Sequence, residues 1–175
     1  MLLLSGCASN PGHYCNRYEG DIFNNEGTGT GKGKVIIGLL CGYDDPPTYE
    51  GDFVNALPHG IGKMTWPTGD FYEGEFIDGK RSGQGREVRV NGDFYEGGWL
   101  NDNRIGQGKT KWTYPNGLRL GGQAVWGGFL RGVYEGSILN NMLHGWGRYS
   151  YASGEIWEGQ FSFGNPVPAK GTFKW

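Results

Sequence analysis

The sequence predicts an all-β fold: a single elongated, twisted antiparallel sheet of β-hairpins joined in series. Three observations predict it. Glycine supplies 35 of 175 residues, about three times the usual share of ~7%. Aromatic residues reach 15% while charged residues stay at 19%, unlike disordered glycine-rich chains, which are poor in aromatics. A Tyr-Glu-Gly triplet also returns at a fixed interval along the chain. The period is 23 residues, from Tyr49 to Tyr72 to Tyr95 and again from Tyr134 to Trp157. That is too short for two helices and too rich in glycine for one.

The charge balance narrows the partners. Net charge is −2 and the isoelectric point about 5.9, which gives no basic footprint for nucleic acid. No block of like charge forms a polybasic membrane patch. No stretch reaches the ~18 apolar residues of a membrane-spanning helix.

The first element is the N-terminal segment. Leu4-Ser5-Gly6-Cys7 resembles the lipobox of bacterial lipoproteins, a short apolar run ending in small residues and a cysteine. The resemblance implies that residues 1–6 are a signal remnant and that Cys7 is the lipid attachment site. Residues 7–17 are then a tether to the membrane. Ala8 after the cysteine, rather than Asp, implies an outer-membrane lipoprotein facing the periplasm. Six residues precede Cys7 and none is basic, short of a full secretory signal. The alternative is an apolar N-terminus with a free thiol on a cytoplasmic protein. With Cys7 lipidated, Cys15 and Cys41 remain as a candidate disulfide in an oxidising compartment. Pairing a strand ending near Phe23 with one beginning near Gly33 places Cys15 opposite position 41, give or take one. Side-chain alternation puts the two on opposite faces unless a bulge near Gly38 intervenes, so both outcomes stay open.

The repeats occupy residues 18–175, in about six to seven units. Tyr-Glu-Gly stands at Tyr18, Tyr49, Tyr72, Tyr95 and Tyr134, with Trp157-Glu158-Gly159 as a variant. Four residues on comes an apolar side chain: Ile22, Phe53, Phe76, Trp99, Ile138 and Phe161. A Gly-x-Gly and a basic residue follow, ending at Lys34, Lys63, Arg86, Lys109 and Arg148. Turns such as Pro67-Thr68-Gly69-Asp70 and Ala152-Ser153-Gly154-Glu155 close the units. Near residues 120–133 the pattern survives only as a degenerate unit without a Gly-x-Gly loop. Tyr-x-Gly-x-Phe alternation is a strand signal, so each unit reads as two short strands. In the unit beginning at Tyr49 these are Tyr49–Val54 and about Gly62–Trp66. The pattern resembles MORN repeats, which implies a curved, rod-like sheet with a groove and a role in membrane attachment, scaffolding or oligomerisation.

Tyr and the residue four positions on share a strand face. An aromatic ladder therefore runs through Tyr49, Phe53, Tyr72, Phe76, Tyr95 and Trp99, joined by Met64 and Trp66. In-strand glycines let rings and backbones approach closely. Part of this face is the candidate partner-binding surface, with Trp66, Trp112, Trp126, Trp146 and Trp157 as further members. Against that stands the plainer reading, in which the ladder only buries itself.

Other candidates are weaker. Glu50 recurs as Glu19, Glu73, Glu96, Glu135 and Glu158; a catalytic carboxylate is needed once, so these read as structural partners of the basic residues, Glu73 with Lys63 for example. His59 and His144 share a repeat position that Ser82 and Ile105 hold elsewhere, which argues against a catalytic or metal-binding role. Gly-x-Gly is followed by a strand rather than a helix, so it is not a phosphate loop. The expectation is a protein that is not an enzyme and uses no cofactor or metal. It reads as a lipid-anchored scaffold that binds a protein partner at the bacterial cell envelope, with a homo-oligomer open. The alternative is direct binding of membrane lipid or cell-wall glycan.

Overall fold

The computed structural model describes residues 4–5, 17–20, 31–37, 46–112, 119–120, 123–124 and 132–174. Among them there is no helix; every regular element is an antiparallel strand. The chain divides into two units, residues 1–83 and 84–175. The first holds β1 (Leu4–Ser5), β2 (Arg17–Gly20), β3 (Gly31–Ile36), β4 (Thr48–Val54), β5 (Leu57–Thr65), β6 (Phe71–Ile77) and the start of β7 (Lys80–Val88). The second holds the rest of β7, then β8 (Phe94–Leu100), β9 (Asn103–Trp112), β10 (Arg119–Leu120), β11 (Gln123–Ala124), β12 (Gly132–Leu139), β13 (Met142–Tyr151), β14 (Ile156–Ser162) and β15 (Asn165–Lys174). Strands follow one another in chain order as hairpins.

Short turns decide where each hairpin closes. Asn55 and Ala56, Asp78 and Gly79, Asn101 and Asp102, Asn140 and Asn141, and Phe163 and Gly164 all take positive φ, between 46° and 85°. Two consecutive residues of this kind make a type I′ turn, whose twist matches the flanking strands. Asn and Asp tolerate the conformation; Ala56 and Phe163 occupy it at a cost of roughly 1–2 kcal/mol. The turn at Asn55-Ala56 starts the second strand at Leu57, earlier than the Gly62 expected from sequence. The Pro67–Asp70 segment is instead the longer link between hairpins, closed by Trp66 N–H to Asp70 O and Gly69 N–H to Trp66 O, both at 2.9 Å. Residues 89–93 and 151–155 close in the same way.

Within a hairpin the pairing is bulged. Gly51 opposes Gly62 and Phe53 opposes Pro58, so Pro58 to Gly62 face only Gly51 to Phe53. Gly60, the first glycine of Gly-x-Gly, absorbs the excess at φ 66°, a conformation that favours glycine. Gly106 and Gly145 do the same at 72°, and Gly83 takes a similar φ of 69°. Between hairpins the register is regular, as in Gly62 opposite Gly74 and Gly147 opposite Gly159.

Strand pairing bears on two expectations. β2 and β3 pair Gly20 with Gly33 and Arg17 with Ile36, three residues tighter than a register carrying Cys15 opposite position 41. Cys7, Cys15 and Cys41 themselves lie outside the described residues. In the second unit, β9 pairs directly with β12, from Trp112 opposite Gly132 to Gly106 opposite Ile138. β10 and β11 pair only with each other. The stretch read as a degenerate unit therefore adds no strand between β9 and β12.

Candidate functional site

The repeat strands of each unit present two unlike faces, and the aromatic one is closed. Tyr49, Tyr72 and Tyr134 are 0% exposed, Tyr95 and Phe53 1%, and Phe76 and Trp99 2%. The reason lies in the glycines. A Cβ on Gly62 would sit 2.4 Å from the Tyr49 ring, and one on Gly147 2.4 Å from the Tyr134 ring. The tyrosine thus lies flat across a glycine of the facing strand, where any side chain would displace it. Its hydroxyl donates to a backbone carbonyl three residues on: Tyr49 to Asp52 at 2.8 Å, Tyr72 to Glu75 at 3.0 Å, Tyr95 to Gly98 and Tyr134 to Ser137 at 2.9 Å. Burial pushes the Tyr95 and Tyr149 phenols up to about 12, because a buried phenolate lacks solvation.

Edge-to-face contacts complete the ladder. Tyr49 meets Phe53 at 5.0 Å and Phe76 of the next repeat at 4.9 Å. Tyr72 meets Phe76 at 5.1 Å, Tyr95 meets Trp99 at 5.2 Å and Tyr134 meets Phe161 at 5.0 Å. These are the separations at which aromatic quadrupoles attract. Trp99 Nε1 donates to Gly85 O at 3.1 Å.

The sequence-predicted binding residues thus fall into different environments. Tyr49, Phe53, Tyr72, Phe76, Tyr95, Trp99 and Trp157 are interior to their units. Trp66 is half-buried, with the Arg81 guanidinium 5.8 Å from its ring. Trp112 ends β9, and Trp126 lies outside the described residues. Trp146 is 63% exposed and stands on the opposite face, paired with Gln160.

That opposite face carries the recurrent charges. Glu19, Lys34, Glu50, Lys63 and Glu73 follow one another across the first unit, so Lys63 and Glu73 are direct cross-strand neighbours. Glu96, Lys109, Glu135, Arg148 and Glu158 do so across the second. Lys109 pairs with Glu135 and Lys174 with Glu158, while Arg148 Nε is 3.5 Å from Glu158 Oε1. The hydrogen bond from Lys109 holds the Glu135 carboxyl below its usual range, and that from Lys174 does the same for Glu158. Solvent-exposed pairs of this kind contribute little each. They neutralise the face and set no carboxylate apart for acid–base work.

Between the charged positions runs a row that varies. The middle residue of Gly-x-Gly is exposed in every described copy: Lys32, Ile61, Gln84, Gln107 and Trp146. The flanking glycines are fixed by the bulge and the tyrosine ring, so this side chain alone is free to change. His59 and His144 sit elsewhere, at the hairpin tips. His59 Nδ1 is 3.7 Å from Asp78 Oδ1, and the His144 ring meets Phe163 edge-on at 5.3 Å.

One buried group was not foreseen. On the second unit, Arg104 Nη2 donates to Glu87 Oε2 at 2.5 Å, with side chains only 12% and 14% exposed. The guanidinium carbon also lies 5.2 Å from the Tyr95 ring and 5.6 Å from Trp99, within cation–π range. The sequence did hold a signal. Glu87 follows the basic residue of its repeat, where Val35, Met64 and Tyr149 stand in others.

Compared with known families, the sequence matches the MORN repeat at residues 49–71, 72–94, 95–119 and 134–156, together more than half of the chain. No curated protein matches it.

Proposed function

Because the chain belongs to the MORN-repeat family, we propose that it is a non-catalytic scaffold holding a protein partner at the bacterial envelope, anchored through lipid on Cys7. One observation carries the reading. The recurrent groups serve structure: tyrosine hydroxyls bond carbonyls, glycines make room for rings, and carboxylates meet cross-strand cations. What remains exposed and varies along the chain, as Lys, Ile, Gln, Gln and Trp, is the middle of Gly-x-Gly. In repeat proteins, one invariant frame with one variable exposed position reads an extended partner. Recognition then falls to Lys32 and Ile61 of the first unit rather than to interior rings.

Photo-crosslinking amino acids at positions 32 and 61 test this in cells. A single discrete adduct shared by these positions is expected, and its loss on Ile61→Asp. Adducts that differ at every position, or none, would remove the scaffold reading. Anchoring is checked separately by the mass of the N-terminal peptide, which carries acyl chains on Cys7 if the lipid is present.

A further inference from the structure

The variable row changes character between the two units. In the first it is charged and aliphatic: Lys32 faces Asp52, with Nζ 3.1 Å from Oδ1, and Ile61 faces Glu75. From β9 to β14 in the second it is neutral, and exposed Lys170, beside the Gly171 that opposes Gly159, follows on β15. Gln107 faces Ser137 and donates to its Oγ at 2.7 Å, and Trp146 faces Gln160. The Cβ position of Gly145 lies 3.2 Å from Ser137 Cβ, which brings Ser137 beside the start of the Gly145-Trp146-Gly147 segment. Amide, hydroxyl, indole and amide thus lie side by side across β9, β12, β13 and β14. Three strand spacings make this row about 14 Å long.

We propose that this row is a binding site for a neutral oligosaccharide, with a sugar ring stacked on Trp146 and hydroxyls bonded by Gln160 and Gln107. A pyranose presents an apolar C–H face and a rim of hydroxyls that both donate and accept. An exposed indole supplies the flat apolar platform, and primary amides supply donors and acceptors together. The neighbouring row argues for neutrality. Lys109 meets Glu135 and Arg148 meets Glu158, which Lys174 shares, so the cations of β9 and β13 each already meet a carboxylate. A lipid surface would need a contiguous apolar patch, whereas Trp146 is flanked across the row by Ser137 and Gln160. The platform is also held in place. Gly145 takes φ 72° in the bulge and Gly147 lies under the Tyr134 ring, so the indole is offered from a rigid backbone.

The inference shares the charged face with the scaffold reading but not its ligand. The full chain is titrated with cellohexaose, maltohexaose and N-acetylchitohexaose, following indole and side-chain amide protons by NMR. At least one hexaose is expected to shift the Trp146, Gln107 and Gln160 signals saturably. Trp146→Ala should weaken that binding at least tenfold, about 1.4 kcal/mol, and Trp146→Phe should retain part of it. Gln160→Ala, which leaves the platform intact, should weaken it severalfold. No shift from any hexaose by about 10 mM overturns the proposal. So does unchanged binding by Trp146→Ala, or stronger binding of hexagalacturonate or phosphatidylcholine vesicles than of the neutral sugars. Ile61→Asp separates the two readings: it should abolish the protein adduct and leave the sugar titration unaltered.

Discussion

The two units use one frame and fill it differently. In the first, Met64 lies between Tyr49 and Tyr72. In the second, Thr110 lies between Tyr95 and Tyr134, fully buried, with Oγ1 donating to Phe94 O at 2.8 Å. Nearby, Arg104 and Glu87 place an ion pair against the same kind of aromatic ladder. Tyrosine over glycine is thus fixed by sterics, while the residue between successive tyrosines ranges from thioether to hydroxyl. What the frame demands is a flat ring, a missing Cβ and a satisfied hydroxyl. The rest of the row needs only to fill space and satisfy its own polar atoms.

The largest effect should therefore be the same in both units. Gly62→Ala and Gly147→Ala each drive a Cβ into a tyrosine ring, an overpacking cost of about 3 kcal/mol. Urea denaturation of both variants checks it; a cost below 1 kcal/mol in one unit would break the equivalence. The next effect should appear only in the second unit. Glu87→Met leaves the Arg104 guanidinium largely desolvated without its carboxylate, costing about 2–3 kcal/mol. The double variant Glu87→Met with Arg104→Met should recover most of that loss in the same assay, giving the second unit a filling like that of Met64.

Smaller effects sharpen the comparison further. Tyr49→Phe and Tyr95→Phe each remove one hydroxyl-to-carbonyl bond, about 1 kcal/mol, by thermal melts. Alkali tests the same hydroxyls. A buried phenol has its folded pKa raised above the unfolded value of 10.0, to about 12 for Tyr95 and Tyr149. Its stabilisation is complete below the unfolded value, where both states are protonated. It declines as pH climbs from there through the folded value, because the unfolded chain ionises first. Circular dichroism should accordingly show stability falling between about pH 10 and 12, with tyrosinate absorbance rising as the chain unfolds. At the turns the sign reverses: Ala56→Gly relieves a positive φ of 60° and should stabilise the first unit by about 1 kcal/mol.

Much of this frame was legible in the chain. The 23-residue interval, the Tyr-x-Gly-x-Phe alternation and Gly-x-Gly foretold strand type, hairpin order and the ladder through Tyr49, Phe53, Tyr72 and Phe76. They did so because periodicity assigns a face without knowledge of the fold. The turn at Asn55-Ala56 was missed because alanine carries no signal for positive φ. The first hairpin pairs Gly20 with Gly33, a register that repeat spacing alone does not fix, because the chain between the two strands is longer there than in the other units. Trp146 was grouped with the aromatic face because its type matched the ladder, although its position between two glycines put it on the other side.

The sequence by itself determined the repeat, its two faces and which residues recur, since these follow from spacing and side-chain chemistry alone. The tertiary structure decided which aromatics are covered and which carboxylate meets which cation. It also decided that Arg104 reaches Glu87 and that Trp146 stands opposite Gln160 on the charged face. Those depend on which strands lie side by side, and the bulge opposite each Gly-x-Gly sets that register only when the hairpin closes.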